Sequence, residues 1–109
     1  MDVSRLEQLL ADGKDSAALR LALGAAYLKE GNAREAIEYL SAAVALDSDY
    51  SAAWKLLGQA QAAADLPDAA EQSYARGIEV ATQRGDVQAA REMQVFLKRL
   101  HKRREAPPG

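Results

Sequence analysis

Side chains that could carry out chemistry are few in this chain of 109 residues. Cysteine is absent, which excludes cysteine nucleophiles, disulfides and thiolate metal sites. The one histidine, His101, has a single carboxylate near it in sequence, Glu105, and two ligands cannot complete a zinc shell. Carboxylate pairs such as Glu35 and Glu38 could act as acid and base. On an exposed helix face, the simpler interpretation is that these charged side chains keep the surface solvated. With no phosphate loop, zincin motif or nucleophile elbow in the sequence, we expect no enzymatic activity, no metal and no cofactor.

Cationic side chains concentrate near the carboxyl end. Residues 98–105 contain five lysines and arginines against Glu105, a formal charge of +4 in a chain whose net charge is −2. Such a segment could contact nucleic acid, another anion or an anionic membrane. The acidic remainder of the chain and the lack of aromatic residues among these cations argue against nucleic acid, and a solvated helix end is the simpler interpretation.

The composition and the spacing of apolar residues predict an all-α fold. Alanine fills 24 positions and leucine 14, and both residues favour helices. Apolar residues recur at helical spacing, and no segment has the alternation of a strand. The predicted helices cover about 3–12, 17 to Gly31, 33–46, 51–64, 67–84 and 86–103. Residues 105–109 are predicted to be a flexible tail, because Pro107 and Pro108 cannot continue a helix.

The amino end lacks the basic and apolar order of a secretory signal. No apolar run approaches the roughly 18 residues of a transmembrane helix. We therefore expect a cytoplasmic protein without a membrane span.

Comparison of the chain with itself reveals a repeat of 34 residues. Laying residues 17–50 on residues 51–84 gives identical residues at Ala18/Ala52, Leu23/Leu57, Gly24/Gly58, Ala26/Ala60 and Ala36/Ala70. A glycine inside a helix costs about 1 kcal/mol relative to alanine. Two such glycines at equivalent places, with Gly77 as a third small residue, predict points at which helices pack closely.

These two units resemble the tetratricopeptide repeat (TPR). The resemblance rests on Leu23-Gly24-Ala25-Ala26-Tyr27, Gly31-Asn32, Glu35-Ala36-Ile37-Glu38-Tyr39, Ala43 and Leu46-Asp47, and in the second unit on Trp54, Leu57-Gly58, Ala70, Tyr74 and Gly77. The sequence departs from the family pattern where Ser48 and Thr82 replace the usual proline. It also has Asp65 where the first unit has Gly31, and Gln61 where it has Tyr27. These departures could alter the hairpin angle or soften a turn.

The resemblance implies a right-handed superhelix of about six antiparallel helices in a single domain, residues 1–104. The division is a half-repeat helix over 3–12, repeats over 17–50 and 51–84, and a capping helix over 86–103. The first helix resembles the second helix of a preceding unit. The last resembles the first helix of a third unit, with Gly85-Asp86 inserted before it.

The family further implies a non-catalytic protein-interaction module whose inner wall binds a peptide or helix of a partner. Carried over position by position, the wall would be lined by Leu21, Ala25, Leu28, Lys29, Lys55, Gln59, Ala62, Ala63, Arg91, Val95, Lys98, Arg99 and Lys102. Such a groove is apolar at one end and basic at the other, which suits an apolar–acidic peptide. Counted from the first unit, the residues with which chaperone-binding members hold a terminal carboxylate would fall on Leu21, Ala25 and Leu56, which are apolar. Counted from the second unit, Lys55 and Gln59 would fit, but Glu92 has the wrong charge, so the resemblance argues against a carboxylate clamp.

Two alternatives remain open from the sequence. Short repeat arrays leave apolar ends, so the chain could form a homodimer through the first helix, Met93 and Phe96. The basic residues 98–104 could instead bind an anion or nucleic acid. Trp54, Tyr27 and Tyr74 are interpreted as core residues rather than a ligand platform, because their spacing matches that of the apolar stripes.

Overall fold

A computed structural model describes residues 3–105, and within this range the chain forms six α-helices and no strand. They are α1 (Val3–Ala11), α2 (Ala17–Lys29), α3 (Ala33–Leu46), α4 (Ser51–Ala63), α5 (Pro67–Gln83) and α6 (Val87–Glu105). Helix α6 thus continues two residues past its predicted end and includes Glu105, the first residue of the segment predicted to be a tail. The remainder of that segment, 106–109, lies outside the described residues.

The helices stack as successive hairpins. Each helix packs on its neighbour in the chain, and in addition α2 contacts α4 and α4 contacts α6. The outer helices α3 and α5, both fully described, make no such contact with each other. The molecule is correspondingly flat, with extents of 48 × 36 × 20 Å. The predicted all-α solenoid of helical hairpins is confirmed.

The core runs along the solenoid as clusters between layers of helices. One cluster joins α3 to α4 through Ala36, Leu40, Leu57 and Ala60. We call this the first core cluster. Another joins α5 to α6 around Tyr74 and includes Met93 and Leu100 at its far end. Because each cluster involves only adjacent helices, every layer depends on the fit to the next.

The helical glycines lie where a facing side chain leaves no room for a Cβ atom. A Cβ on Gly24 would lie 2.6 Å from Cδ2 of Leu40, and a Cβ on Gly58 would lie 2.6 Å from Cδ1 of Tyr74. A Cβ on Gly77 would lie 2.9 Å from Cβ of Trp54. Real side chains do not approach so closely, so the prediction of close packing at these glycines is confirmed.

Four turns share one backbone conformation. Gly13, Gly31, Asp65 and Gly85 all follow a helix with a positive φ angle. In the first unit the N–H of Asn32 donates to the carbonyl of Tyr27 at 2.9 Å, and the bond from Leu66 to Gln61 at 2.8 Å is its counterpart. Asp65, with φ of 62°, therefore keeps the geometry of a glycine turn despite its side chain.

The replacement of Tyr27 by Gln61 is matched on the facing helix. Tyr27 stacks on Tyr39, with ring centroids 5.5 Å apart. At the equivalent positions in the second unit, the Ser73 hydroxyl donates to Oε1 of Gln61 at 2.5 Å. A stacked pair in one hairpin is thus replaced by a hydrogen-bonded pair in the next, and both link the two helices of their unit.

We expect Gly24→Ala to destabilise the fold by about 1–3 kcal/mol, because its methyl group would collide with Leu40. At a helix position with free space, the same change would stabilise the protein by about 1 kcal/mol. Urea unfolding measures the difference. In a Leu40→Ala background, Gly24→Ala should cost less or become favourable. An equal cost in both backgrounds would contradict contact between the two residues.

We expect Asp65→Gly to stabilise the protein by about 0.5–1 kcal/mol, because glycine adopts a positive φ angle without the Cβ penalty. Asp65→Ala is the matched comparison and should give no gain, since alanine retains the Cβ atom. The measurement is the midpoint of thermal unfolding of both variants and of the unchanged chain. A stabilising Asp65→Ala would show that the aspartate side chain, and not the backbone, is the weak point.

Candidate functional site

The inner wall of the solenoid consists of α2, α4 and α6, which lie side by side. None of the wall residues expected from the sequence is fully buried, so all of them keep some surface available for contact. Half-buried are Leu21, Ala25, Leu28, Lys55, Gln59 and Ala62, whereas Lys29, Ala63, Arg91, Val95, Lys98, Arg99 and Lys102 are exposed. Their assignment as a binding site stays a prediction.

The first third of the wall is apolar and partly used by the fold. Ala25 and Lys29 line a cavity of about 580 Å³ next to α1. Leu28, by contrast, packs against the first core cluster, so only part of its side chain faces outward. This third therefore offers a shallow apolar surface with one cation at its edge.

The middle third carries an ion pair that links two inner helices. The Lys55 ammonium lies 3.6 Å from the Glu92 carboxylate of α6. Ala62 packs against the core around Tyr74 and also lines a small cleft with Arg99 and Arg103. Lys55 is therefore less available to an acidic ligand than its position alone suggested, because Glu92 already neutralises part of its charge.

The last third is the basic one. Arg91, Lys98 and Arg99 are exposed and make no ion pair or hydrogen bond with any residue between 3 and 105. Val95 lies exposed between them. Arg103 joins Arg99 in the cleft beside Ala62, although it was not among the predicted wall residues. Cations rather than a closed pocket characterise this end.

The basic carboxyl-terminal segment is only partly free. Arg104 pairs with Asp68 at 2.6 Å and with Glu71 at 2.9 Å, both on α5. Nε2 of His101 lies 3.1 Å from the same Glu71 carboxylate. The end of α6 is thus held against α5 by exposed ion pairs, each worth at most about 1 kcal/mol. These contacts restrain His101 and Arg104, although both side chains remain exposed to solvent.

Tyr74 is buried in the core, as its spacing predicted, and Trp54 and Tyr27 are half-buried and pack against the first core cluster. The indole N–H of Trp54 donates to the carbonyl of Ser48 at 2.8 Å, and Tyr74 is tilted against Phe96 at 5.9 Å between centroids. Met93 is fully buried. The expectation that Met93 would serve as a contact of a homodimer is therefore wrong, because its side chain has no accessible surface.

Within residues 3–105, no group of three or more acidic, histidine or cysteine side chains is placed to hold a metal ion. Nor is any helix in that range long and apolar enough to cross a membrane.

Two tyrosines have pKa values well above normal. The Tyr27 hydroxyl donates to the Glu7 carboxylate of α1, and this hydrogen bond, with burial and the nearby negative charge, raises the pKa of Tyr27 to about 12. Burial raises the pKa of Tyr74 to about 12. The Glu7 contact fastens α1 to α2, and it was not foreseen because the two residues are 20 positions apart.

Comparisons with known proteins agree with the hairpin architecture. A sequence model of the tetratricopeptide repeat matches residues 27–93. A TPR repeat-containing protein of Pseudomonas aeruginosa is 48% identical over 105 residues, which cover 95% of this chain and 99% of that protein.

Solved structures show the same similarity in three dimensions. The solution structure of a Bordetella parapertussis protein has a TM-score of 0.83 at 38% identity, covering 94% of this chain and 90% of that one. The solution structure of a tetratricopeptide repeat domain protein from Salinibacter ruber has a TM-score of 0.76 at 28% identity, with coverages of 87% and 96%. The similarity thus extends over nearly the whole chain.

We expect Tyr27 and Tyr74 to ionise with a pKa of about 12, whereas an ordinary tyrosine has a pKa of 10.0. Tyrosinate absorbance during an alkaline titration measures this. The pKa of each tyrosine is higher in the folded chain than in the unfolded chain, so folding favours the neutral phenol. This contribution to the free energy of unfolding is complete below pH 10 and is lost as the pH rises towards 12. Glu7→Gln should lower the pKa of Tyr27 and leave Tyr74 unchanged. An unchanged titration in Glu7→Gln would contradict the hydrogen bond.

Proposed function

Because the chain belongs to the tetratricopeptide repeat family, we propose that it binds an extended segment of a partner protein along the inner wall of α2, α4 and α6. The family consists in general of non-catalytic modules for protein–protein interaction. The observation that carries the proposal is the accessibility of the wall: the three helices lie side by side, and the expected contact residues are half-buried or exposed.

The chemistry of the wall favours a ligand with two different ends. Around Leu21 and Ala25 the surface is apolar, so it would bury apolar side chains of the ligand. At the other end, Lys98 and Arg99 are exposed cations without an ion pair in the described chain. Their charges are therefore available to an acidic ligand.

The free positive charge of the wall lies mainly on α6. Lys55 of α4 is paired with Glu92, so the α6 cations supply most of the charge that an acidic ligand could meet. The ligand we propose is therefore a peptide with an apolar part over α2 and an acidic part over α6.

We expect Arg99→Glu to weaken binding of such peptides about tenfold at low salt, because it replaces an attraction by a repulsion. The probes are labelled peptides that combine a leucine-rich end with an aspartate-rich end, titrated against the full chain by fluorescence anisotropy. The matched control is Arg34→Glu, which changes an exposed arginine on the outer helix α3. Equal affinity of the two variants and the unchanged chain would overturn the proposed binding surface.

A further inference from the structure

The first helix of the chain lacks the partner that its counterparts have. The repeat of 34 residues places Leu6 of α1 at the same position as Leu40 of α3 and Tyr74 of α5. Leu40 packs on Gly24 and Tyr74 packs on Gly58, in each case on the helix that precedes their own. The described residues contain no helix before α1. Leu6 itself is only 4% exposed, so the uncovered part of this side of α1 is around Leu9, which is 40% exposed.

A notch marks this open face. The cavity of about 580 Å³ next to α1 is lined by Leu6, Ala22, Ala25, Ala26, Lys29 and Glu30. We call it the N-terminal notch. Its floor is apolar, and its two charged residues belong to the last turn of α2 and the residue that follows.

Equivalent positions show what normally fills this space. Ala26 is half-buried, whereas its counterpart Ala60 in the second unit is fully buried in the first core cluster. Leu56, the counterpart of Ala22, packs against the same cluster together with Leu28 of α2. The two units differ in the inner helix of the preceding unit. Helix α4 packs beside the inner helix α2, whereas α2 has no preceding inner helix beside it in the described chain.

We propose that the N-terminal notch docks an α-helix of a partner protein. The helix would have the contact face of α2 and α4, with small residues towards α1 and apolar residues over Leu9 and the half-buried Ala22 and Ala26. This occupant follows from the chain itself, which fills the same space with such a helix in both complete units. A second copy cannot supply it, because Gly24 and Gly58 are buried in every folded copy.

The partner helix would also cover Leu9. This leucine is 40% exposed, although it occupies the position of the fully buried Ala43 and of Gly77. The surface goes beyond the proposed peptide site: it shares Ala25 and Lys29 with the inner wall, but it does not involve the cations of α6.

The test uses a labelled peptide with the sequence of residues 17–34, with a scrambled peptide of the same composition as the control. We expect saturable binding of the first peptide to the full chain. Leu9→Lys should weaken it at least about tenfold, because an ammonium group would have to be buried beneath the helix. The matched control is Leu46→Lys, at an exposed leucine on α3, and it should bind as the unchanged chain does.

A second pair of variants distinguishes a loss of binding at the notch from a loss of folding. Ala22→Glu lies in the notch and should abolish binding, whereas Ala75→Glu on the exposed side of α5 should not. Circular dichroism of each variant reports its fold. Arg99→Glu should leave this binding intact, which separates failure of the notch from failure of the peptide site.

Three results would overturn the proposal. One is binding of the scrambled peptide as strongly as the ordered one, and another is equal binding to Leu9→Lys and Leu46→Lys. The third is sedimentation that shows a dimer dispersed by Leu9→Lys, because the occupant would then be a second copy.

Discussion

The close approach of paired helices is the constraint on which this molecule depends. Two helices can approach closely where one residue has no side chain and the facing residue fills the space. Gly24 with Leu40 and Gly58 with Tyr74 meet this condition at equivalent places. Each contact fixes one hairpin, and the hairpins then stack so that α2, α4 and α6 form a single wall. The accessible surface is therefore a consequence of the interior contacts.

The period of the sequence predicts these interior contacts because they recur. The helices, the packing glycines and the buried aromatic residues all follow from spacing along one chain. Contacts between surface positions do not recur, so spacing does not reveal them: Lys55 meets Glu92 only because α4 and α6 lie side by side. The same holds for the pairing of Arg104 with Asp68. The Gln61–Ser73 hydrogen bond lies between these two cases. The repeat comparison shows that both residues differ from their counterparts Tyr27 and Tyr39, but it does not show that they are in contact.

These surface pairs change the electrostatics that composition alone suggested. A formal charge of +4 over residues 98–105 describes a strongly basic end. In the folded chain, carboxylates of α5 pair with Arg104, and Glu92 offsets part of the charge of Lys55 on the neighbouring helix α4. What remains is a narrower row of cations on α6, separated by α4 from the apolar surface on α2. A mixed surface of this kind is better matched to a peptide than to a uniformly charged nucleic acid.

The two ends of the solenoid differ, and this bears on whether copies could stack end to end. In such a stack, α1 of one copy would follow α6 of another and complete its hairpin. Counting the inserted Gly85-Asp86, Gln94 of α6 holds the position of Gly58. Leu6 of the next copy would then face an exposed glutamine instead of a glycine, and the close approach that both complete hairpins require would be blocked. The described carboxyl-terminal end therefore lacks the glycine against which α1 of a second copy would pack, whereas the amino-terminal end has the N-terminal notch that we propose for a helix of another protein.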